Sequence, residues 1–174
     1  MESTSSHSTR WIFGIGISVL EPRFWSFILE LLLGTDIVQI SRIQRNLDRF
    51  NQRFIDRIYT LTEQQDCWRR SPLPSLNPQK PFRLIPPEVV RRFAGRWAAK
   101  EAIVKALGTG WTGINYRDVS VKRLTSGAPC PNFSHSALAP LKRLDPNNCA
   151  LWRLSLTHDG DYAMATAIAI IPPQ

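Results

Sequence analysis

The sequence predicts a mixed chain in which antiparallel strands accompany one long helix, and three stretches carry that prediction. The first is Phe93-Ala94-Gly95-Arg96-Trp97-Ala98-Ala99-Lys100-Glu101-Ala102-Ile103-Val104-Lys105-Ala106-Leu107-Gly108, dense in alanine and other strong helix formers. The second is 152–170, where Trp152, Leu154 and Leu156 alternate with Arg153, Ser155 and Thr157, and Tyr162, Met164, Thr166, Ile168 and Ile170 alternate with alanines. Alternation is the strand period, and Asp159-Gly160 between two such runs is a hairpin signal. The third is 34–59, a short apolar run followed by a segment of helical period.

In chain order, 1–10 is rich in Ser and Thr and is expected to be disordered. It carries Glu2 and a single arginine, which makes it a poor mitochondrial presequence. Trp11-Ile12-Phe13-Gly14-Ile15-Gly16 reads as the start of a buried strand. The apolar run 24–33 is too short to span a bilayer and is interrupted by Glu30, so a buried or interfacial helix is its usual explanation. Gly34-Thr35-Asp36-Ile37-Val38-Gln39-Ile40 is a short strand, and Ser41 is placed to cap a helix over 42–59. In that helix Ile43, Leu47, Phe50, Phe54 and Ile58 fall near one face, and Arg42, Arg45, Arg49, Arg53 and Arg57 near another. A second short helix opens at 61–63 with Thr62 as its cap. The stretch 71–87 is rich in proline and is expected as a surface loop. The long helix takes its start from Pro86-Pro87-Glu88 and its stop from Gly108. The stretch 117–124 alternates as a strand, 125–129 is a turn, and 130–148 reads as irregular. The alanine face of the last strand requires close approach by a packed helix or by another chain.

The 174 residues suit one domain, 11–174, and 43% hydrophobic content is enough for a packed core. A net charge of +8 favours an acidic partner. The basic residues are scattered and form no aromatic-basic nucleic-acid motif, so no nucleic-acid partner is expected. No membrane span is expected either. Cys67, Cys130 and Cys149 are widely spaced without a CxxC, which suggests neither a disulfide framework nor a metal cluster.

Several residues stand out chemically. Asp36 lies in a run of β-branched residues, where a carboxylate is costly unless paired or bound to a cation; an edge-strand or turn position is the ordinary alternative. Trp97, Glu101 and Lys105 share one helical face. Glu101 and Lys105 could be a solvated surface pair, worth only tenths of a kcal/mol (~0.2–0.5), or a metal ligand and a phosphate contact. The turn Gly108-Thr109-Gly110-Trp111-Thr112-Gly113 exposes amides that could approach a phosphate, although a lone glycine-rich loop is a weak signal. His158 sits beside the hairpin turn, as a turn residue or a functional one. Spacing alone leaves each of these open.

Taken together, three stretches resemble the holo-acyl-carrier-protein synthase family of 4′-phosphopantetheinyl transferases. They are Gly34-Thr35-Asp36-Ile37-Val38 with Ile40-Ser41-Arg42-Ile43; the segment 93–102 with Lys105-Ala106-Leu107-Gly108-Thr109-Gly110; and 152–159 with Tyr162-Ala163. The match runs over roughly 34–170. The resemblance implies an α+β fold, with an antiparallel sheet packed on a long central helix, and assembly as a homotrimer with active sites between neighbouring chains. It implies transfer of the 4′-phosphopantetheine arm of coenzyme A to a serine of an acidic acyl carrier protein, giving adenosine 3′,5′-bisphosphate. Magnesium is the implied cofactor, a hard cation that takes oxygen ligands and keeps several waters. By the same resemblance Asp36 and Glu101 are the metal ligands, Lys105 contacts the coenzyme A phosphates, and His158 contacts coenzyme A. The serine proton goes to Glu101 or to a water on the metal, between which the residues do not choose. Arg42 matches a carrier-docking position, and Arg45 and Arg49 extend it along the basic ridge. The alternative is a relative that binds coenzyme A or carrier protein without turnover.

The sequence departs from the family in two places. Gln39 stands where many relatives carry glutamate. The family also runs Gly-Ile-Gly straight into Thr-Asp-Ile, whereas here 17–34 intervenes between Gly14-Ile15-Gly16 and Thr35. Deleting 17–34 restores the unbroken stretch, which suggests a translated, unspliced intron; a genuine inserted hairpin or helix is the alternative. A genuine insertion would cost the strand carrying Asp36 its normal lead-in. The expected compartment is mitochondrial or cytoplasmic.

Overall fold

Alternation sets the first strand. In the computed structural model, which describes residues 29–69 and 85–173, β1 (Glu30–Gln39) turns Leu32, Gly34, Asp36 and Val38 inward and leaves Leu31, Leu33 and Ile37 exposed. Residues 30–34 therefore supply the lead-in to Asp36. The earlier part of the suspected insertion, the Gly14-Ile15-Gly16 stretch, the segment 1–10 and most of the proline-rich loop lie outside the described residues.

Helix α1 (Ile40–Ile58) follows without a loop, taking Ile40 from the expected strand. Its N-cap is Gln39, which makes no side-chain capping bond; Ser41 is inside the helix and does not cap it. The helix is kinked at Asn51 (φ 50°, ψ −135°). The kink changes the buried stripe to Ile43, Leu47, Ile55 and Ile58 and leaves Phe50 45% exposed, where an unbroken helix would have buried it. Helix α2 (Leu61–Trp68) is capped by Thr60, not Thr62. Thr60 and Glu63 form a reciprocal capping box, with Glu63 N donating to Thr60 Oγ1 and Thr60 N to Glu63 Oε2.

Helix α3 (Pro87–Ala106) begins with proline in its first turn and ends before Gly108, whose φ of +71° is the left-handed conformation that glycine adopts without strain. Val119–Arg123 forms β2, which a 3₁₀ turn at Tyr116–Asp118 precedes. Val119, Ser120 and Val121 are all buried and Lys122 and Arg123 both exposed, so the strand forms without the expected alternation of burial. The stretch expected as irregular contains β3 (Pro129–Phe133), paired antiparallel with β2, and α4 (Leu138–Leu144). Pro129 and Pro131 hide β3 in the sequence, because proline lowers strand propensity and is tolerated only where a ladder donor is dispensable. The hairpin of β4 (Leu151–Asp159) and β5 (Tyr162–Ile171) forms as expected.

The main sheet has the order β1-β5-β4, all antiparallel. Helix α3 lies across its inner face. Small residues on both sides allow this: Ala163, Ala165, Ala167 and Ala169 of β5 are buried, as are Ala94, Ala98, Ala99 and Ala102 of α3. The alanine face is thus covered by this chain's own helix. The chain is α+β, an antiparallel sheet on a long central helix, and among the described residues no helix is long and apolar enough to cross a membrane.

The closest approach is at Gly34. A Cβ there would overlap the carbonyl oxygen of Ala102 and lie 2.6 Å from Ala106 N, both of them backbone atoms that cannot swing aside. Gly34→Ala is therefore expected to push β1 off α3 and cost about 1–3 kcal/mol or more, read as a fall in the thermal unfolding midpoint.

Candidate active site

The closeness of β1 to α3 brings Asp36 to Lys105. Asp36 has the same inward register as Gly34, two residues on, and Lys105 occupies the last turn of α3. Lys105 Nζ donates to Asp36 Oδ1 at 2.8 Å and to the Thr35 carbonyl at 2.9 Å. The lysine side chain is 50% exposed and the aspartate 16%. With its lysine half in water and its carboxylate mostly covered, the pair is screened chiefly on the ammonium side, so it is worth about 1 kcal/mol and the lysine is free to turn to a phosphate. Glu101 stands one turn before Lys105 and is half-buried. Gly34 packs on the carbonyl of Ala102, the residue after Glu101, so the backbone of Glu101 lies at the crossing of strand and helix, two residues along β1 from Asp36.

Asp36 and Glu101 are oxygen donors, the ligand type that suits a hard divalent ion retaining waters. Among the described residues no group of three His, Cys, Asp or Glu gathers, which is not the donor set of a closed zinc centre. In the loop after Gly108, Trp111 packs on Tyr116, with ring centroids 4.2 Å apart.

The backbone that carries Glu101 is fixed by the preceding residue. Lys100 is fully buried and donates to Glu63 Oε2 (3.0 Å), the Tyr116 carbonyl (2.9 Å) and the Val119 carbonyl (2.7 Å), using all three of its protons. Glu63, equally buried, also accepts from Val121 N at 3.0 Å through Oε1. Burial lowers the Lys100 pKa against the opposing pull of Glu63. This network ties α2, α3 and β2 together.

His158 is exposed at the end of β4 and pairs with Ala163. Asp36 pairs with Ala165 from the other side of β5, so one strand separates the two and roughly 10 Å of sheet lies between them. The structure joins Lys105 to Asp36, carries Glu101 one helical turn before that lysine, and leaves His158 across the sheet within one chain. Arg42, Arg45 and Arg49 are exposed on the first half of α1, ahead of the kink.

Two cavities gather residues that the sequence did not group as a site. One, of about 420 Å³, is lined by Phe50, Arg53, Phe54, Arg57, Trp97 and Tyr116 among others. Trp97 stacks between Phe54 (6.0 Å) and Tyr116 (5.7 Å), making an apolar floor beneath two arginines. The i, i+3 and i, i+4 spacing of Phe50, Arg53, Phe54 and Arg57 is visible in the sequence; the kink that turns these side chains towards Trp97 is not. The other cavity, of about 270 Å³, is lined by Arg96, Lys122, Arg123 and Pro129 among others. Arg96 is nearly buried, reaches Asp66 at 2.9 Å through Nη2, and has a buried Nε with no hydrogen-bond partner. Burial, with Arg69 and Arg96 nearby and Asp66 opposing them, lowers the pKa of Arg123.

Comparison with known proteins agrees with this architecture. Residues 32–167 match the 4′-phosphopantetheinyl transferase superfamily. The holo-[acyl-carrier-protein] synthase of Gloeobacter violaceus is 41% identical over 138 residues, covering 79% of this chain and 91% of the relative. That of Dinoroseobacter shibae is 38% identical over 143 residues, covering 80% and 91%. Among solved structures, the holo-[acyl-carrier-protein] synthase from Neisseria meningitidis superposes with a TM-score of 0.56 at 28% identity, over 79% of this chain and 96% of that one. The Chronobacterium ammoniagenes ACPS-CoA complex gives 0.63 at 22% identity, over 83% and 98%, and bears on the fold alone.

Proposed function

Because the chain belongs to the 4′-phosphopantetheinyl transferase superfamily, we propose that it transfers the 4′-phosphopantetheine arm of coenzyme A to a serine of an apo acyl carrier protein, releasing adenosine 3′,5′-bisphosphate. The observation that carries this reading is the contact of Lys105 with Asp36 one turn from Glu101. Lys105 leaves Asp36 for the diphosphate and holds the departing phosphate as its negative charge grows. Asp36 and Glu101, the two oxygen donors at the crossing, are the residues that would hold magnesium. When bound, the ion supplies charge neutralisation at the diphosphate being cleaved. The loop after Gly108 offers backbone amides beside the same phosphates.

Carrier docking falls on α1. Arg42, Arg45 and Arg49 supply positive charge before the kink, and Arg53 and Arg57 flank the aromatic cavity after it. An acidic helix with one apolar side chain fits that combination, its charges steering the encounter and its side chain filling the cavity. Arg42→Ala and Arg53→Ala are each expected to raise the KM for carrier protein about tenfold, with the KM for coenzyme A unchanged. Raising salt should narrow the difference from wild type, because exposed charges are screened within about 10 Å at 0.1 M.

A homotrimer is part of the proposal. The outward face of the main sheet shows Leu31, Leu33, Ile37 and Met164, each at least 40% exposed. Apolar area of that kind on a sheet face marks an interaction surface, and a further copy of the chain is the occupant the proposal assigns to it. Release of adenosine 3′,5′-bisphosphate, followed chromatographically with coenzyme A, magnesium and apo carrier protein, tests the function. Release that depends on carrier supports transfer, whereas coenzyme A binding with no release supports the non-catalytic alternative.

A further inference from the structure

Helix α1 starts on exposed ground with none of the usual local supports. Its N-cap, Gln39, makes no side-chain capping bond, and its first turn has no acidic residue. The missing carboxylate comes from the β4–β5 turn, some 120 residues further along the chain. Asp161 Oδ1 accepts from Ser41 N at 2.8 Å and Oδ2 from Ser41 Oγ at 2.7 Å, while the Asp161 carbonyl accepts from Ile40 N at 2.8 Å. Gln39 Nε2 adds a longer bond to the Tyr162 hydroxyl at 3.3 Å. The two bonds from Ser41, with Arg45 nearby, hold the Asp161 carboxyl below the usual range. A carboxylate at the positive end of a helix is favourable whichever part of the chain supplies it.

The position of this joint gives it consequences beyond capping. Arg42 is the next residue after Ser41, Asp36 lies five residues before it, and His158 precedes the turn that carries Asp161. Rotating the start of α1 would swing Arg42 relative to Asp36. We propose that Asp161 is a positioning residue that latches the start of α1 to the β4–β5 turn and so fixes Arg42 for carrier docking. It touches neither coenzyme A nor the reacting atoms, and the inference rests on the docking role given to Arg42 above.

Asp161→Ala in the full chain tests it, with Ser41→Ala as the second variant removing the other half of the latch. Amide hydrogen exchange over 40–44 should accelerate about fivefold in both, the factor that losing a helix cap of ordinary strength gives. The KM for carrier protein should rise by a similar factor, with kcat and the KM for coenzyme A within twofold of wild type. In an Arg42→Ala background, Asp161→Ala should add no further rise, whereas general loss of structure would act equally in both backgrounds. Unchanged exchange over 40–44, or a rise in KM that persists without Arg42, overturns the proposal. If the wild-type chain transfers nothing, the functional reading fails separately, and the exchange measurement still decides whether Asp161 holds the helix.

Discussion

Lys100→Met is expected to lower the free energy of unfolding by about 3–5 kcal/mol, the usual cost of removing one partner from a buried ion pair. The methionine has similar bulk, so the loss is electrostatic. Glu63 would keep its bonds from Thr60 and Val121 but lose the Lys100 ammonium, and the carbonyls of Tyr116 and Val119 would each lose a donor. A domain of this size has about 5–15 kcal/mol in total, so the variant should unfold at markedly lower denaturant concentration. Adding Glu63→Gln to Lys100→Met should recover part of the deficit, because the stranded buried charge is then removed. Denaturant titration of both single variants and the double closes the cycle. Additive losses would show that the two side chains do not act as a pair.

Asp36→Asn is expected to reduce transfer at least a thousandfold, of the order seen when a group that stabilises transition-state charge is lost, while leaving the fold intact. The side chain is close in size to the original and its carboxylate contributes little to stability through the water-exposed contact with Lys105. The separation of the two outcomes is the informative part. A variant that keeps its unfolding midpoint and loses turnover places Asp36 in the chemistry. A variant that loses both would make Asp36 a structural residue of the β1–α3 crossing.

Much of this architecture could be read from residue order alone. The alanine-rich stretch and its Pro and Gly boundaries gave α3, and strict alternation about Asp159-Gly160 gave the β4–β5 hairpin, because both signals are local. The triad of Asp36, Glu101 and Lys105 came through resemblance; the structure adds that Gly34 permits the approach joining them. What escaped depends on contacts between distant segments. Asn51 adopts a positive φ that no residue type demands there, and the kink rotates Phe50 out of the core. Thr60 rather than Thr62 caps α2 because Glu63, three residues after Thr60, completes the box. Ser41 fails as a cap because Asp161 arrives from the far end of the chain. Arg96 reads as one more surface cation on a helix until folding buries it beside Lys122 and Arg123.

In the proposed mechanism the crossing of β1 and α3 performs phosphopantetheine transfer through Asp36, Glu101 and Lys105. Intact mass spectrometry of an apo acyl carrier protein, after incubation with coenzyme A, magnesium and either the wild-type chain or its Asp36→Asn and Glu101→Gln variants, addresses it directly. The wild-type chain is expected to add one phosphopantetheine arm to the carrier, at its serine, and neither variant to do so on the same timescale. An unmodified carrier with the wild-type chain, or full modification by both variants, would contradict it.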